Sequence, residues 1–136
     1  MRSTISRNSE QLPVEKRPLI LAVDDNEDTL SLLIAALELY GCVVITAADG
    51  SKALALAESY QPDLILLDLI LPDLNGETVI THLKHNSKTS QIPIIATTGL
   101  ARTADKEYFL KLGCTHYLIK PYIIDELEKL LSLYLN

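Results

Sequence analysis

Five polar residues, far apart in the chain, stand at or just beyond the ends of short apolar runs: Asp24 and Asp25, then Asp68, Thr97 and Lys120. Three carboxylates gathered at one place repel one another, which raises the pKa of at least one of them. A hard divalent cation with oxygen ligands relieves that repulsion, and Mg2+ suits a site that keeps several waters. Lys120 adds a positive charge and Thr97 a hydroxyl. Such a set is suited to receive a phosphoryl group, because cationic groups neutralise its oxygens while a carboxylate attacks phosphorus in line. Taken singly, each residue has an ordinary structural role. Asp24-Asp25 would cap a helix, Lys120 would lie on the surface, and Thr97 would satisfy backbone at a strand end. Only their convergence carries the chemistry.

Convergence depends on the elements around them. Leu19–Val23 is a short apolar run that stops at Asp24, as a buried parallel strand does. Asn26–Tyr40 follows with Leu30, Leu33, Ile34 and Leu37 at helical spacing, acids in its first turn and Gly41 after it. The alternation then repeats. Strands are expected at 42–47, 64–67, 94–97 and 116–119, and helices from about 50 to 59, 77 to 84, 103 to 112 and 123 to 135. Pro62, Pro72, Asn75-Gly76, Pro93, Gly113 and Pro121 mark the breaks. Five strands alternating with five helices imply parallel units with right-handed crossovers. Strands this uniformly apolar need helices on both faces. The expected fold is an α/β open doubly wound sheet of five parallel strands, order 2-1-3-4-5, flavodoxin-like. Ligands of such sheets bind beyond the carboxyl ends of the strands, and that rim is where the five residues fall.

A chain of 136 residues is long enough for one domain with a layered core. Residues 1–17 read as a flexible leader, Arg- and Ser-bearing with a faint likeness to an organelle transit peptide, and 18–136 as the domain. The net charge of −6, with no cationic stripe, argues against direct nucleic-acid binding. No apolar run approaches the roughly 20 residues that span a bilayer, so no membrane role and a cytoplasmic location are expected. His82 and His85 share a helix face without a third ligand in sight, and are expected to be solvent-exposed. Cys42 and Cys114 each follow a glycine at the start of an expected edge strand. Four spacings of about 4.8 Å put those edges roughly 19 Å apart, beyond the about 7 Å that a disulfide spans, so the two thiols should stay unpaired within one chain.

Residues 19–135 resemble the receiver domain of two-component response regulators. The likeness is carried by Asp24-Asp25, Asp68 followed by Leu71-Pro72 and Gly76, Thr97, and Lys120-Pro121, in order and one βα unit apart. The resemblance implies that Asp68 is the phosphoacceptor, served by a histidine kinase or histidine phosphotransfer protein. It implies that Asp24, Asp25, Asp68 and the backbone carbonyl of Ile70 hold Mg2+, and that Lys120 and the Thr97 hydroxyl contact the phosphoryl group. Tyr117 would turn inward as the Thr97 loop moves, and the Lys120–Pro121 peptide would be cis. The face made by the fourth helix, fifth strand and fifth helix would then meet a downstream protein or form a homodimer. The protein would be a switch rather than an enzyme.

The chain departs from the family pattern at Ile70, two residues after Asp68, and at Gly99, two after Thr97, where groups that orient an attacking water often stand. Slow self-dephosphorylation is the consequence expected. Thr98 and Asn75 also differ from the commoner Ala and Asp. An initiator Met and a chain ending soon after the fifth helix favour a single-domain protein, the alternative being a fragment of a larger regulator or hybrid kinase. An aspartyl-phosphate phosphatase would place its nucleophile after the first strand and need a cap domain. An FMN carrier would need a Ser-, Thr- and Gly-rich phosphate loop where Asp24-Asp25 stands.

Overall fold

The computed structural model describes residues 13, 16–99, 103–120 and 124–135. The expected leader therefore lies largely outside the described residues, as do Pro121 and the peptide bond expected to be cis. The strands are β1 Leu19–Val23, β2 Val43–Ala47, β3 Leu64–Asp68, β4 Ile94–Thr98 and β5 His116–Ile119. The helices are α1 Glu27–Leu39, α2 Gly50–Tyr60, α3 Gly76–Lys84, α4 Thr103–Leu112 and α5 Ile124–Leu135. All strand pairs are parallel, in the order β2-β1-β3-β4-β5, as expected.

Local chemistry sets the helix starts. The side chains of Asn26, Asp49 and Asn75 accept from the amides of Thr29, Lys52 and Thr78 and so cap α1, α2 and α3. The first strand–helix turn thus uses Asn26 as the cap and leaves Asp24 and Asp25 for other work. Gly41 ends α1 at a φ of 92°, and the Cys42 amide bonds Leu37 O, so β2 begins one residue later than the sequence suggested. Gln61 ends α2 with a φ of 45°, a left-handed position held by a residue other than glycine.

Period-two alternation divides the sheet's side chains between two cores. Ile20, Ala22, Leu64, Leu66, Ile95 and Leu118 pack with Leu33 and Leu37 of α1 and Leu127 and Leu131 of α5. Leu21, Val23, Ile65, Leu67, Ala96 and Tyr117 pack on the other side, against Ala53, Ala57, Val79, Ile80 and Leu83 of α2 and α3. Most of these side chains are wholly buried, at about 1.5–3 kcal/mol each for the larger ones. Cys42 and Cys114 are buried and free, their thiols pushed up by burial to about 11 and about 12 respectively.

Two loops are tied down by side chains that the sequence did not single out. Lys84 sends its Nζ to the carbonyls of Ser90 (3.1 Å) and Ile92 (3.0 Å), shaping the approach to β4. Asp73, in the β3–α3 loop, accepts from the amides of Gly50 (2.7 Å), Ser51 (2.9 Å) and Leu74 (2.8 Å). Those bonds, Gly50 first, hold its carboxyl down at about 2. A folded-state pKa below the unfolded one stabilises above the unfolded value, and the benefit disappears as pH falls through the folded value. Urea unfolding of Asp73→Asn should therefore show lower stability than wild type at neutral pH, with the gap closing as the pH is taken from about 4 toward 2. A gap independent of pH would contradict this.

Candidate functional site

The same alternation aligns the site. Asp24, Asp68, Thr97 and Lys120 are each in phase with the strand residues that face α1 and α5, namely Ala22, Leu66, Ile95 and Leu118. Register brings them side by side: Asp68 pairs with Thr97 across β3 and β4, and Thr97 with Leu118 across β4 and β5. The strands extend to meet the site. β3 runs through Asp68 and β4 through Thr98, each one residue beyond the sequence-based expectation. The Leu69 amide donates to Thr97 O (3.0 Å) and the Lys120 amide to Thr98 O (2.6 Å).

At the rim, Lys120 Nζ donates to Asp24 Oδ2 at 2.8 Å and to Asp68 Oδ2 at 3.0 Å. The other oxygens are also held: Asp24 Oδ1 accepts from the Asn26 amide (2.9 Å) and Asp68 Oδ1 from the Ile70 amide (3.0 Å). Asp24 and Asp68 are buried, at 2% and 5% exposure, while Asp25 faces solvent. Asp24, Asp25 and Asp68 each offer an oxygen within 4.8 Å of the others, and no other such acidic, histidine or cysteine trio exists among the described residues. Lys120 is the one ammonium bonded to the trio among the described residues, so three carboxylates and one ammonium leave two negative charges uncompensated.

The electrostatics follow from burial. Withdrawal from water pushes the Asp68 carboxyl above its ordinary value, and the Asp24 charge adds to the rise, against the opposing pull of the Ile70 amide and Lys120. Burial by itself would lower the Lys120 ammonium, but its hydrogen bonds to Asp24 and Asp68 and their charges outweigh that and leave it raised.

Thr97 is buried beside Asp68 at 4% exposure. Tyr117, one residue out of phase with Leu118, leaves the opposite face of the sheet. Its ring is buried against Phe109, with centroids 6.3 Å apart and planes 26° apart. Ile70 is 61% exposed at the mouth and pairs with Asn75 across the β3–α3 loop, and a Cβ placed on Gly99 would meet nothing within 4 Å. The mouth thus has an apolar side chain on one flank and none on the other. His82 and His85 are exposed, as expected. They line a groove of about 650 Å³ between α2 and α3, together with Leu54, Glu58 and Thr81, and none of the five rim residues borders it.

Residues 20–132 match the family model described as the response regulator receiver domain. This chain belongs to that family. Receiver domains are the phosphorylation-dependent switches of two-component signalling, and the fold described above is theirs. The chain is 40% identical over 110 residues to the DNA-binding dual master transcriptional regulator RpaA of Synechocystis sp., covering 81% of this chain but 46% of that protein. It is 34% identical over 117 residues to the polar-differentiation response regulator DivK of Brucella anthropi, covering 86% of this chain and 95% of that one. The chain thus spans about half the length of several curated relatives it matches and nearly all of DivK. The receiver domain of sensor histidine kinase PA1611 from Pseudomonas aeruginosa, solved with a magnesium ion in its active-site cleft, superposes with a TM-score of 0.80 at 34% identity, over 88% of this chain and 98% of that one. Among the described residues no helix is long and apolar enough to cross a membrane.

Removing the ammonium tests the charge balance. Lys120→Met strands two buried carboxylates and should lower stability by about 2 kcal/mol, less than the 3–5 kcal/mol of a fully buried pair because Lys120 is partly exposed. Adding Asp24→Asn to Lys120→Met should restore part of the loss in urea unfolding. Additive losses in the double variant would show that the lysine does not serve to offset these carboxylates.

Proposed function

We propose that Asp68 is the phosphoacceptor of this receiver domain, and that the protein stores a signal there and passes it on through protein contacts. One observation carries the reading: Lys120 joins Asp24 and Asp68 inside an acidic trio at the carboxyl ends of β1, β3 and β5. The donor would be a phosphohistidine on a histidine kinase or histidine phosphotransfer protein. An Asp68 oxygen forms the new P–O bond as the donor's P–N bond breaks, and the imidazole leaves with the electron pair and takes up a proton. Lys120 lies within reach of the phosphoryl oxygens that arrive, and Thr97, next to Asp68 in register, is placed for its hydroxyl to approach them.

The residues present fit a magnesium ion. The donors are hard oxygens, the local charge is short of two positive units, and an octahedral ion with bonds of about 2.1 Å takes ligand oxygens about 3–4 Å apart, within the 4.8 Å compass of the trio. Asp24, Asp25, Asp68 and the Ile70 carbonyl would hold it. When bound it supplies charge that neutralises the phosphoryl oxygens.

Movement of Thr97 toward the phosphoryl group is passed to Tyr117 through the β4–β5 ladder, where Ala96 pairs with Tyr117 and Thr97 with Leu118. Turning a mostly inactive population into a mostly active one takes on the order of 3–5 kcal/mol. Two charge-assisted hydrogen bonds at about 1.5–3 kcal/mol each are enough. The output is the α4–β5–α5 face, read by a downstream protein or by a second copy of the chain, in the cytoplasm and without direct nucleic-acid contact. The chemistry is limited to the protein's own phosphorylation and dephosphorylation, with no separate substrate turned over. Where a longer regulator or hybrid kinase contains this domain, the same switch would control its other parts.

Intact mass after incubation with Mg2+ and acetyl phosphate should show one added phosphoryl group on wild type and none on Asp68→Asn. Equal labelling of the two proteins would overturn the assignment. With an apolar side chain at Ile70 and open space at Gly99, little holds a hydrolytic water in line. The phosphoryl group should persist for minutes or longer at neutral pH, and Ile70→Asn should shorten its life severalfold. A wild-type half-life of seconds would sink this expectation.

A further inference from the structure

Asp73 stands five residues after Asp68, on the far side of the β3–α3 loop, exposed yet fully engaged. Its Oδ1 accepts from the amides of Gly50 (2.7 Å) and Leu74 (2.8 Å), and its Oδ2 from Ser51 (2.9 Å). Gly50 and Ser51 open α2, a helix that already has a cap of its own in Asp49, which accepts from Lys52 at 2.8 Å. Asp49 satisfies one of the free amides at this helix start, and Asp73 takes two more. This second carboxylate, arriving from more than twenty residues away, fastens the loop to the helix.

Packing says the same. A Cβ on Gly50 would lie 2.8 Å from Leu74 Cβ and 3.1 Å from a Val79 methyl, so the loop rests directly on the first turn of α2. From there the contacts run without a gap to the rim. Asn75 pairs with Ile70, the Gly76 amide closes the loop on Leu69 O at 2.9 Å, and the Ile70 amide holds Asp68 Oδ1. A Cβ on Gly76 would fall 2.9 Å from Leu69 Cα, so this end of the loop is equally close-packed.

We propose that Asp73 is a positioning residue for the phosphoacceptor site: it clamps the β3–α3 loop onto the start of α2 and thereby holds the Ile70 peptide in place against Asp68. The inference rests on Asp68 and its acidic neighbours being the cation- and phosphoryl-binding site, and it extends that site's support to a carboxylate that touches neither group. Asp49 supplies the comparison, since losing it uncaps the same helix without releasing the loop.

The test uses the full chain, 15N-labelled, as wild type, Asp73→Ala and Asp49→Ala. In metal-free buffer, Ile70 amide exchange should be about tenfold faster in Asp73→Ala and unchanged in Asp49→Ala. In a Mg2+ titration followed by amide shifts, the dissociation constant should rise about three- to tenfold in Asp73→Ala alone. Wild-type exchange at Ile70 in Asp73→Ala, or equal acceleration in both variants, would overturn the clamp. If Asp73→Ala does not fold, Asp73→Asn replaces it: an intermediate acceleration at Ile70 is then expected, and none overturns the proposal. A wild type that neither shifts with Mg2+ nor gains a phosphoryl group would sink the reading of the site instead, because the exchange arm is read without metal.

Discussion

Two buried carboxylates, Asp24 and Asp68, share one ammonium, and the rest of the structure is arranged around that shortage of positive charge. With an effective dielectric of about 20, a carboxylate pair 4.8 Å apart repels by roughly 3–4 kcal/mol, while each ammonium contact near 3 Å attracts by roughly 5–6 kcal/mol. In this Coulomb comparison Lys120 outweighs the repulsion between its two partners. It does not neutralise the trio once Asp25 is counted. The excess negative charge is tolerable because Asp25 is open to water, and among the described residues no other acidic trio is gathered in this way.

That charge arrangement depends on parity. Strand residues alternate between the two faces, so a shift of one residue in any strand would send its rim residue to the wrong side. Ala22 and Asp24, Leu66 and Asp68, Ile95 and Thr97, and Leu118 and Lys120 are each two apart, and the apolar member of each pair is fixed in the core beneath α1 and α5. Hydrophobic burial thus aims the polar residues. Tyr117 follows the opposite parity and reports to the other core, beside Phe109. A movement that begins at the rim must therefore cross the sheet through β4 and β5 before it reaches that ring.

Much of this was legible in the residues alone. Abrupt endings of apolar runs at Asp24, Asp68 and Lys120 marked the rim and the βα alternation implied the parallel doubly wound sheet, both local and strong signals, while the strand order followed from the likeness to receiver domains. Strand ends were less legible. Asp68 and Thr98 are polar and read as the first loop residues, yet ladder bonds from Leu69 and Lys120 draw the pairing out to include them. The Asn26 cap was missed in favour of the helix proper because an Asn before two acids fits either role. Asp73 and Lys84 were not legible at all. Each looks like an ordinary surface charge, and only partners in other segments, Gly50 and Ser51 for one and Ser90 and Ile92 for the other, reveal a fixed role.

Asp73 acts on one side of the rim, whereas Lys84 acts before the amino end of β4, away from it. The β3–α3 loop is held at its tip by Asp73, at its base by the Ile70–Asn75 pairing, and by close packing of Gly50 and Gly76 against Leu74 and Leu69. On the other side, a Cβ at Gly99 after β4 would meet no heavy atom within 4 Å. Among the described residues the close packing therefore lies on the β3–α3 side of the rim. Thr97 is joined by the β4–β5 ladder to Leu118, so a displacement of Thr97 would be carried into β5.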